Sequence, residues 1–71
     1  MLLDVFGKLV EVNYTRNRWC VFYLGSEGKK RLATDIQIPN DITAVNVRKY
    51  IADLCHERAT PANPAVVVLR Q

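Results

Sequence analysis

The chain has 71 residues with a formal net charge of +3, and apolar residues make up 49% of it. A chain of this length forms one small domain, and its apolar content excludes a disordered tail. Two cysteines and one histidine are too few for a disulfide framework or a convincing metal site, so we predict neither a metal nor a cofactor.

The first part of the sequence predicts three antiparallel strands. Residues 2–6 and 9–14 are expected to form two of them, joined at Gly7-Lys8, which is a signal for a two-residue hairpin turn. Residues 19–24 are dense in aromatic and β-branched side chains, which favour a strand. Residues 15–18 form the turn before this third strand.

The middle of the sequence predicts a further strand before the pattern changes. A fourth strand is expected at residues 29–33. Residues 36–38 either continue it or form a separate short strand, which Pro39 stops because proline cannot donate a hydrogen bond to the sheet.

Beyond this point the hydrophobic period becomes that of a helix. Six residues recur at the spacing i, i+3, i+4, i+7, i+8 and i+11, which places their side chains on one face of a helix. They are Val47, Tyr50, Ile51, Leu54, Cys55 and Arg58. Thr43 is the expected N-cap, with Asp41 as an alternative, because either side-chain oxygen can accept a free amide hydrogen of the first turn. Thr60-Pro61 is expected to end the helix.

The last segment completes the predicted fold. Residues 62–64 form a loop, and residues 66–69 predict a final apolar strand. The element order β-β-β-β-α-β places the chain in the α+β class. We therefore expect residues 1–71 to form a single domain, with an antiparallel sheet of four to five strands and one helix packed on one face.

The hairpin turns also predict which side chains share a face of the sheet, because side chains alternate along a strand. One predicted face is consistently apolar and should receive the helix. Its residues are Leu3, Val5, Val10, Val12, Tyr14, Trp19, Val21 and Tyr23. The other predicted face is mixed. Its residues are Leu2, Asp4, Phe6, Leu9, Glu11, Asn13, Cys20, Phe22 and Leu24.

The mixed face has no predicted cover, because one helix covers only one face of a sheet. An uncovered apolar patch usually marks an interaction surface. The first functional hypothesis is therefore a small non-catalytic module that forms a homodimer or binds an unidentified protein partner through Phe6, Leu9, Phe22 and Leu24. The alternative is that loops or the last strand cover this face, or that the sheet curls strongly.

Three charged residues are predicted beside this apolar patch. Asp4 is expected opposite Glu11, which is an unfavourable pair of like charges. A four-residue connection at residues 25–28 would place Arg31 opposite Phe22, where the three charges would fix the orientation of a partner. The alternative, which we favour, is an ordinary solvated charge cluster.

The stretch GSEGKKR, residues 25–31, differs from known phosphate-binding loops. A P-loop needs Gly-x-x-x-x-Gly-Lys-Ser/Thr between a strand and a helix, whereas this stretch has Gly-x-x-Gly and precedes a predicted strand. The Gly-x-x-Gly loop of a KH domain joins two helices. We favour a hairpin turn in which Gly25 and Gly28 adopt positive φ and the cations protect an edge strand.

The basic turns suggest nucleic-acid binding as the alternative function. Cations beside aromatic side chains bind single strands through charge and stacking. The candidate cations are Arg16, Arg18, Lys29, Lys30 and Arg31. The aromatic candidates Trp19 and Tyr23 fall on the face that the helix is expected to cover, so nucleic acid is not the favoured partner.

No catalytic residues are predicted. Cys55 and His56 are adjacent, but neighbouring helix residues point about 100° apart and are poorly placed to act as nucleophile and base. Cys55 lies on the apolar helix face, which is typical of a small core residue. We identify no small-molecule substrate and predict that the protein is not an enzyme.

The sequence also predicts a cytoplasmic protein without membrane contact. Asp4 interrupts the first apolar residues, so no signal peptide is predicted. No run approaches the length of a membrane-spanning helix. Reduced thiols are the expected state of both cysteines.

Three stretches, DVFGKLVEV, RWCVFYLGSEGKKRLATDIQIP and YIADLCHERATPANP, resemble a family of very small bacterial proteins with a domain of unknown function. The matching positions are residues 5–7, 22–23, 25, 27–29, 31 and 56–57. The resemblance covers nearly the whole chain. It implies a bacterial cytoplasmic protein, of a kind that also occurs on mobile gene cassettes, and it implies no activity or site.

Overall fold

Residues 1–25 and 27–71, which the computed structural model describes, form a five-stranded antiparallel sheet, one α-helix and one 3-10 helix. The strands are β1 (Leu2–Val5), β2 (Lys8–Thr15), β3 (Arg18–Leu24), β4 (Lys30–Leu32) and β5 (Val66–Arg70). The helices are α1 (Ala44–Leu54) and the 3-10 helix η1 (His56–Arg58). The predicted α+β class and the order of elements are confirmed.

The strands lie in the order β4-β3-β2-β1-β5 across the sheet. The first four follow one another as a meander, and β5 returns to pair with β1. The second hairpin has the predicted register, with Tyr14 opposite Trp19 and Val12 opposite Val21. Its two-residue loop is Arg16-Asn17, at the end of the sheet opposite to the β1–β2 and β3–β4 connections.

The first hairpin turns one residue earlier than predicted. Val5 pairs with Lys8, so the loop is Phe6-Gly7 rather than Gly7-Lys8. The φ angles of Phe6 and Gly7 are 52° and 93°, and two positive φ values are typical of a type I′ turn. Because the register moves by two residues, both predicted faces persist. Leu2 rather than Asp4 lies opposite Glu11, so the predicted pair of like charges is wrong.

The third hairpin differs by one residue, which moves side chains to the other face of the sheet. Tyr23 pairs with Arg31, and Leu24 pairs with Lys30. Five residues rather than four therefore connect β3 to β4. Arg31 lies on the helix side of the sheet beside Tyr23, and its predicted position opposite Phe22 is wrong.

The core lies between α1 and the helix-facing side of the sheet. Five strand residues predicted for that side are buried. They are Leu3, Val5, Val10, Val12 and Val21. On the helix side of the core, Val47, Ile51 and Cys55 are buried at i, i+4 and i+8, which places them on one helix face. Trp19 and Tyr23 pack against this core as half-buried residues, whereas Tyr14 is 51% exposed.

The helix begins at the predicted place and ends early. Thr43 precedes α1 in an extended conformation, and its Oγ1 accepts a hydrogen bond from the Asn46 side chain rather than from a backbone amide. The α-helix ends at Leu54, and η1 continues the chain to Arg58. Leu54, the last residue of α1, is 46% exposed, although its spacing predicted the apolar face.

Residues 36–38 are not a strand, so this prediction is wrong. The amide of Ile36 donates to the carbonyl of Ala33 in a turn that directs the chain away from β4. Ile36 and Ile38 are buried and Gln37 is exposed. This irregular segment has the alternating burial of a strand, which explains the misleading pattern.

Gly7→Ala is expected to lower the free energy of unfolding by about 1–2 kcal/mol, because a positive φ is strained for alanine. A Cβ at Gly7 would also lie 2.9 Å from Nδ2 of Asn63, in the loop before β5. The control is Gly28→Ala, because Gly28 has a φ of 77° but open space around it. Urea unfolding of both variants checks the prediction, and equal losses would show that the Asn63 contact has no effect.

Candidate functional site

The side of the sheet opposite α1, called the open face below, has no buried side chain. Its residues follow from the strand registers and lie on all five strands. They are Leu2, Asp4, Leu9, Glu11, Asn13, Cys20, Phe22, Leu24, Lys30, Leu32, Val67 and Arg70.

The centre of the open face is apolar. Leu9 is 44% exposed, and Leu32 and Val67 extend the apolar surface towards the two edges of the sheet. Phe22 and Leu24 are half-buried but are not among the side chains that pack against the core. Their partial shielding therefore comes from neighbours on the same face.

An ion pair crosses the open face. Nζ of Lys30 lies 2.7 Å from Oε1 of Glu11. Because these residues belong to β4 and β2, the aliphatic part of Lys30 passes over β3 and covers part of its apolar surface. Hydrogen bonds from Lys30 and Asn13 lower the pKa of the Glu11 carboxyl. Leu32 takes the predicted position of Arg31 opposite Phe22, and Lys30, opposite Leu24, supplies the cation that pairs with Glu11.

Two of the seven residues predicted for the interaction surface lie elsewhere. Phe6 is in the first turn and packs against the core. Arg31 is on the helix side of the sheet. The other five share the open face, as predicted. They are Asp4, Leu9, Glu11, Phe22 and Leu24.

On the helix side, a concavity of about 530 Å³ lies beside β3 and η1 and is called the basic groove below. Its lining residues come from β2, β3, β4, the segment after β4, and η1. They are Lys8, Tyr23, Arg31, Leu32, Thr34, Asp35 and Arg58.

Tyr23 connects Arg58 with Asp35 in the basic groove. The Tyr23 hydroxyl donates to Oδ2 of Asp35 at 2.8 Å and accepts a hydrogen bond from Nη1 of Arg58 at 2.8 Å. Nη2 of Arg58 also pairs directly with the Asp35 carboxylate. Three side chains from different segments therefore hold one another in place.

Two cations flank the aromatic ring of Tyr23. Nζ of Lys8 lies 5.0 Å from the ring centroid, and Cζ of Arg58 lies 5.9 Å from it. Both distances are within the range of a cation–π attraction. The ring is therefore covered by charged side chains rather than free for stacking.

The hydrogen bonds of this cluster stabilise its charged forms. The bond from Tyr23 holds the pKa of the Asp35 carboxyl below its ordinary value; Arg58 acts in the same direction, and burial opposes both. Hydrogen bonds with Tyr23 and Asp35 raise the pKa of Arg58. Burial raises the pKa of the Tyr23 hydroxyl. The groove therefore presents a carboxylate, a guanidinium and a neutral phenol at neutral pH.

Comparison with known protein families identifies the chain. The model of one family, described as Domain of unknown function (DUF7661), matches residues 1–70. The chain belongs to this family. No curated protein and no solved structure matches it. The predicted resemblance to a family of unknown function is confirmed, and the description of DUF7661 assigns no activity, ligand or partner.

The basic turns of this DUF7661 domain do not form one patch. Arg16 and Arg18 lie at one end of β3, and the connection to β4 lies at the other, roughly 20 Å away at the rise of an extended strand. Lys30 and Arg31 also point to opposite faces. Trp19 is half-buried and donates its Nε1 hydrogen to the Ile42 carbonyl, so its ring is held against the core.

The GSEGKKR stretch connects β3 to β4 and includes the first residues of β4. The amide of Gly25 donates to the carbonyl of Lys29, and Gly28 has the predicted positive φ. Gly25 does not, which corrects that part of the prediction. Ser26, which belongs to the predicted turn, lies outside the described residues.

Three of the four charged groove residues were not predicted as site residues. Lys8 was assigned to a turn, and Asp35 lay between two predicted strands. Arg58 gave the one usable signal, because it is a cation at the i+11 position of an apolar helix face. A charged side chain at such a position needs a polar partner, which the Tyr23–Asp35 pair supplies.

Both cysteines of the DUF7661 chain are free thiols; Cys55 is buried, and this burial raises the pKa of its thiol. Within residues 1–25 and 27–71, no group of three histidine, cysteine or carboxylate side chains is arranged to hold a metal ion. In the same part of the chain, no helix has the length and hydropathy needed to cross a membrane.

Asp35→Asn is expected to make the fold less sensitive to acid. The pKa of Asp35 in the folded state is below its ordinary value of 3.8, so the carboxylate stabilises the fold above that value. This contribution is lost as the pH falls through the folded-state pKa. Urea midpoints at about pH 7 and about pH 3 should therefore differ less in the variant than in the unchanged protein. Asp53→Asn, on the exposed side of α1, is the control, and an equal change in both variants would contradict the prediction.

Proposed function

We propose that this DUF7661 domain is a non-catalytic interaction module that forms a homodimer through the open face. The supporting observation is the accessible apolar centre formed by Leu9, Phe22 and Leu24. Burying apolar surface against a second sheet is favourable by roughly 25 cal/mol per Å². Two sheets that pack face to face form a β-sandwich with a shared core about 10 Å thick.

The charges of the open face favour a second copy as the partner. Lys30 pairs with Leu24 in β3, and Asp4 pairs with Leu9 in β2. Leu24 and Leu9 both adjoin the Val10–Tyr23 pair, so the four residues form one row across the sheet. This row has a cation at one end, an anion at the other and two leucines between them.

A two-fold axis parallel to the strands, between β2 and β3, makes this row self-complementary. The Lys30 position of one copy then faces Asp4 of the second copy, and Leu24 faces its Leu9. On dimerisation the Lys30 ammonium exchanges its Glu11 partner for this Asp4 carboxylate. Contacts between opposite charges at the rim select a partner and its orientation, while the apolar centre supplies the affinity.

The size of the open face sets the expected affinity. Five strands at a spacing of about 4.8 Å, each about five residues long at about 3.3 Å per residue, give a face of about 400 Å² in projection. This is below the about 800 Å² per partner of a standard interface, so we expect a weak, reversible dimer. The dimer should therefore appear as the protein concentration rises through the micromolar range.

The first test is the mass in solution, measured by analytical ultracentrifugation over a wide concentration range. A rise from the 8.1 kDa of one chain towards twice that mass would support the proposal. A constant mass of one chain at the highest concentration would overturn the homodimer. Pull-down experiments would then be needed to identify a different protein partner for the open face.

Nucleic-acid binding through the basic turns is the second candidate function. Phosphate contacts release counterions, so retention of an oligonucleotide should fall steeply with salt. The separation of Arg16 and Arg18 from Lys29, Lys30 and Arg31 argues against a single binding track. No salt-dependent retention at low ionic strength would exclude this function.

The cellular setting also remains a prediction. The resemblance implies a bacterial source, of chromosomal or gene-cassette origin, and a cytoplasmic location. Free Cys20 and Cys55 support a reducing compartment. The absence of enzymatic activity and of a bound cofactor are predictions of the same kind.

A further inference from the structure

The basic groove carries an uncompensated positive charge. Lys8, Arg31 and Arg58 contribute three positive charges and Asp35 one negative charge, which leaves a formal charge of +2. In the part of the chain that the structure describes, the ion pairs are Lys30–Glu11 and Arg58–Asp35. Lys8 and Arg31 therefore have no carboxylate partner there.

The strand registers bring these two free cations to the same tyrosine. Arg31 lies opposite Tyr23 on β4, and Lys8 extends over the Tyr23 ring from β2. Like charges held close together repel each other, and an anionic ligand between them would remove that repulsion. The Arg58–Tyr23–Asp35 hydrogen bonds fix these three side chains of the groove before any ligand arrives.

The groove is rich in hydrogen-bond donors that point to an oxyanion. An ammonium group has three N–H donors and a guanidinium five, and neither can accept a hydrogen bond. Thr34 lines the same concavity, and its hydroxyl is a further possible donor. Arg58 uses only part of its donor set on Tyr23 and Asp35.

We propose that the basic groove binds the phosphate monoester group of a small molecule. Such a group carries a charge of about −1.5 to −2 at neutral pH and three acceptor oxygens, which matches the charge and the donors of the groove. A carboxylate would leave one cation uncompensated. The volume of about 530 Å³ lies within the range of about 300–1,000 Å³ that is usual for small-molecule sites.

A second concavity gives room for the rest of the ligand. It has a volume of about 470 Å³ and shares Lys8, Tyr23 and Arg31 with the basic groove. Lys29 and Lys30 also line it. The phosphate is therefore held where the two concavities meet, and the remainder of the ligand lies beside Gly25 and Lys29.

The test is an NMR titration of the isotope-labelled full chain in phosphate-free buffer at low ionic strength. The probes are inorganic phosphate, AMP and adenosine. We expect saturable shifts at the amides of residues 8, 23, 31, 35 and 58 with phosphate and with AMP, and none with adenosine. Tighter binding of AMP than of phosphate would support a phosphorylated metabolite as the source of the group, and equal binding would support free phosphate. No saturable shift with either phosphate probe would overturn the proposal.

Variants that each remove one positive charge distinguish a specific phosphate site from the general attraction of anions to a basic protein. Arg31→Gln is expected to weaken phosphate binding at least about tenfold, because a charge-assisted hydrogen bond is lost. Lys8→Gln is a second variant with the same expected direction. Arg48→Gln, which removes a cation from the exposed side of α1, should leave the affinity unchanged within about twofold. Equal weakening by Arg31→Gln and Arg48→Gln would overturn the site.

The phosphate-site proposal and the homodimer proposal can be contradicted independently of each other. Arg31 and Lys8 lie on the helix side of the sheet, so Arg31→Gln should sediment like the unchanged protein. A variant that lost both phosphate binding and self-association at an unchanged thermal midpoint would contradict the assignment of the two sites to opposite faces.

Discussion

Phe22→Asp is expected to abolish self-association while the fold survives. Phe22 lies at the centre of the open face, half-buried and not packed against the core. In the homodimer an aspartate at this position would be buried against a second sheet without a partner, which is strongly unfavourable for a carboxylate. In a single copy the same carboxylate reaches water, so the free energy of unfolding should fall by only about 1 kcal/mol, the scale of strand propensity.

Analytical ultracentrifugation and circular dichroism of the same samples check this prediction. The control is Val45→Asp, which adds the same charge at an α1 position that is 88% exposed, and which should leave the mass unchanged. A Phe22→Asp chain that is unfolded at the concentration where the unchanged protein is folded would show that Phe22 belongs to the core. The open-face proposal would then fail.

Ile51→Ala is expected to lower the free energy of unfolding by about 3 kcal/mol, because removing a buried isoleucine side chain leaves a cavity. Ile51 is fully buried between α1 and the sheet. A core of this size supplies only about 3–5 kcal/mol in total, so the variant should keep a stability of only about 0–2 kcal/mol at room temperature.

Urea denaturation followed by circular dichroism measures this loss. Val45→Ala, on the exposed side of the same helix, should change the stability by less than about 0.5 kcal/mol. Ile51→Val, with an expected loss of about 1 kcal/mol, keeps the effect measurable if Ile51→Ala does not fold. An Ile51→Ala chain with an unchanged urea midpoint would contradict the packing of α1 on the sheet.

The sequence predicts the faces of β1 to β3 correctly because side chains alternate along a strand. Only a register error of an odd number of residues moves a side chain to the other face of the sheet. The first hairpin differs from its prediction by two residues, and Leu3, Val5 and Val10 still face the helix. The third hairpin differs by one residue, which moves Arg31 to the other side of the sheet. Glycines in GSEGKKR indicate a turn there but do not fix its length, so four and five residues could not be distinguished.

The basic groove could not be predicted because its members meet only in the folded chain. Tyr23, Asp35 and Arg58 come from β3, an irregular segment and η1. The local pattern indicates that Arg58 needs a polar partner, but it does not identify that partner. The helix period correctly placed Val47, Ile51 and Cys55 in the core, but Arg58 followed the same spacing and instead binds Tyr23 and Asp35 at the surface.

The pairing of β5 with β1 has a consequence for how the chain folds. The meander from β1 to β4 uses neighbouring segments, whereas the β1–β5 pairing joins Leu2 to Arg70 and closes the largest loop in the sheet. Closing a large loop carries the greatest entropic cost, so this pairing forms late. Until residues 66–70 have left the ribosome, the outer edge of β1 exposes unpaired amide and carbonyl groups. A nascent chain is therefore open to pairing with other strands at that edge, and the arrival of β5 protects it.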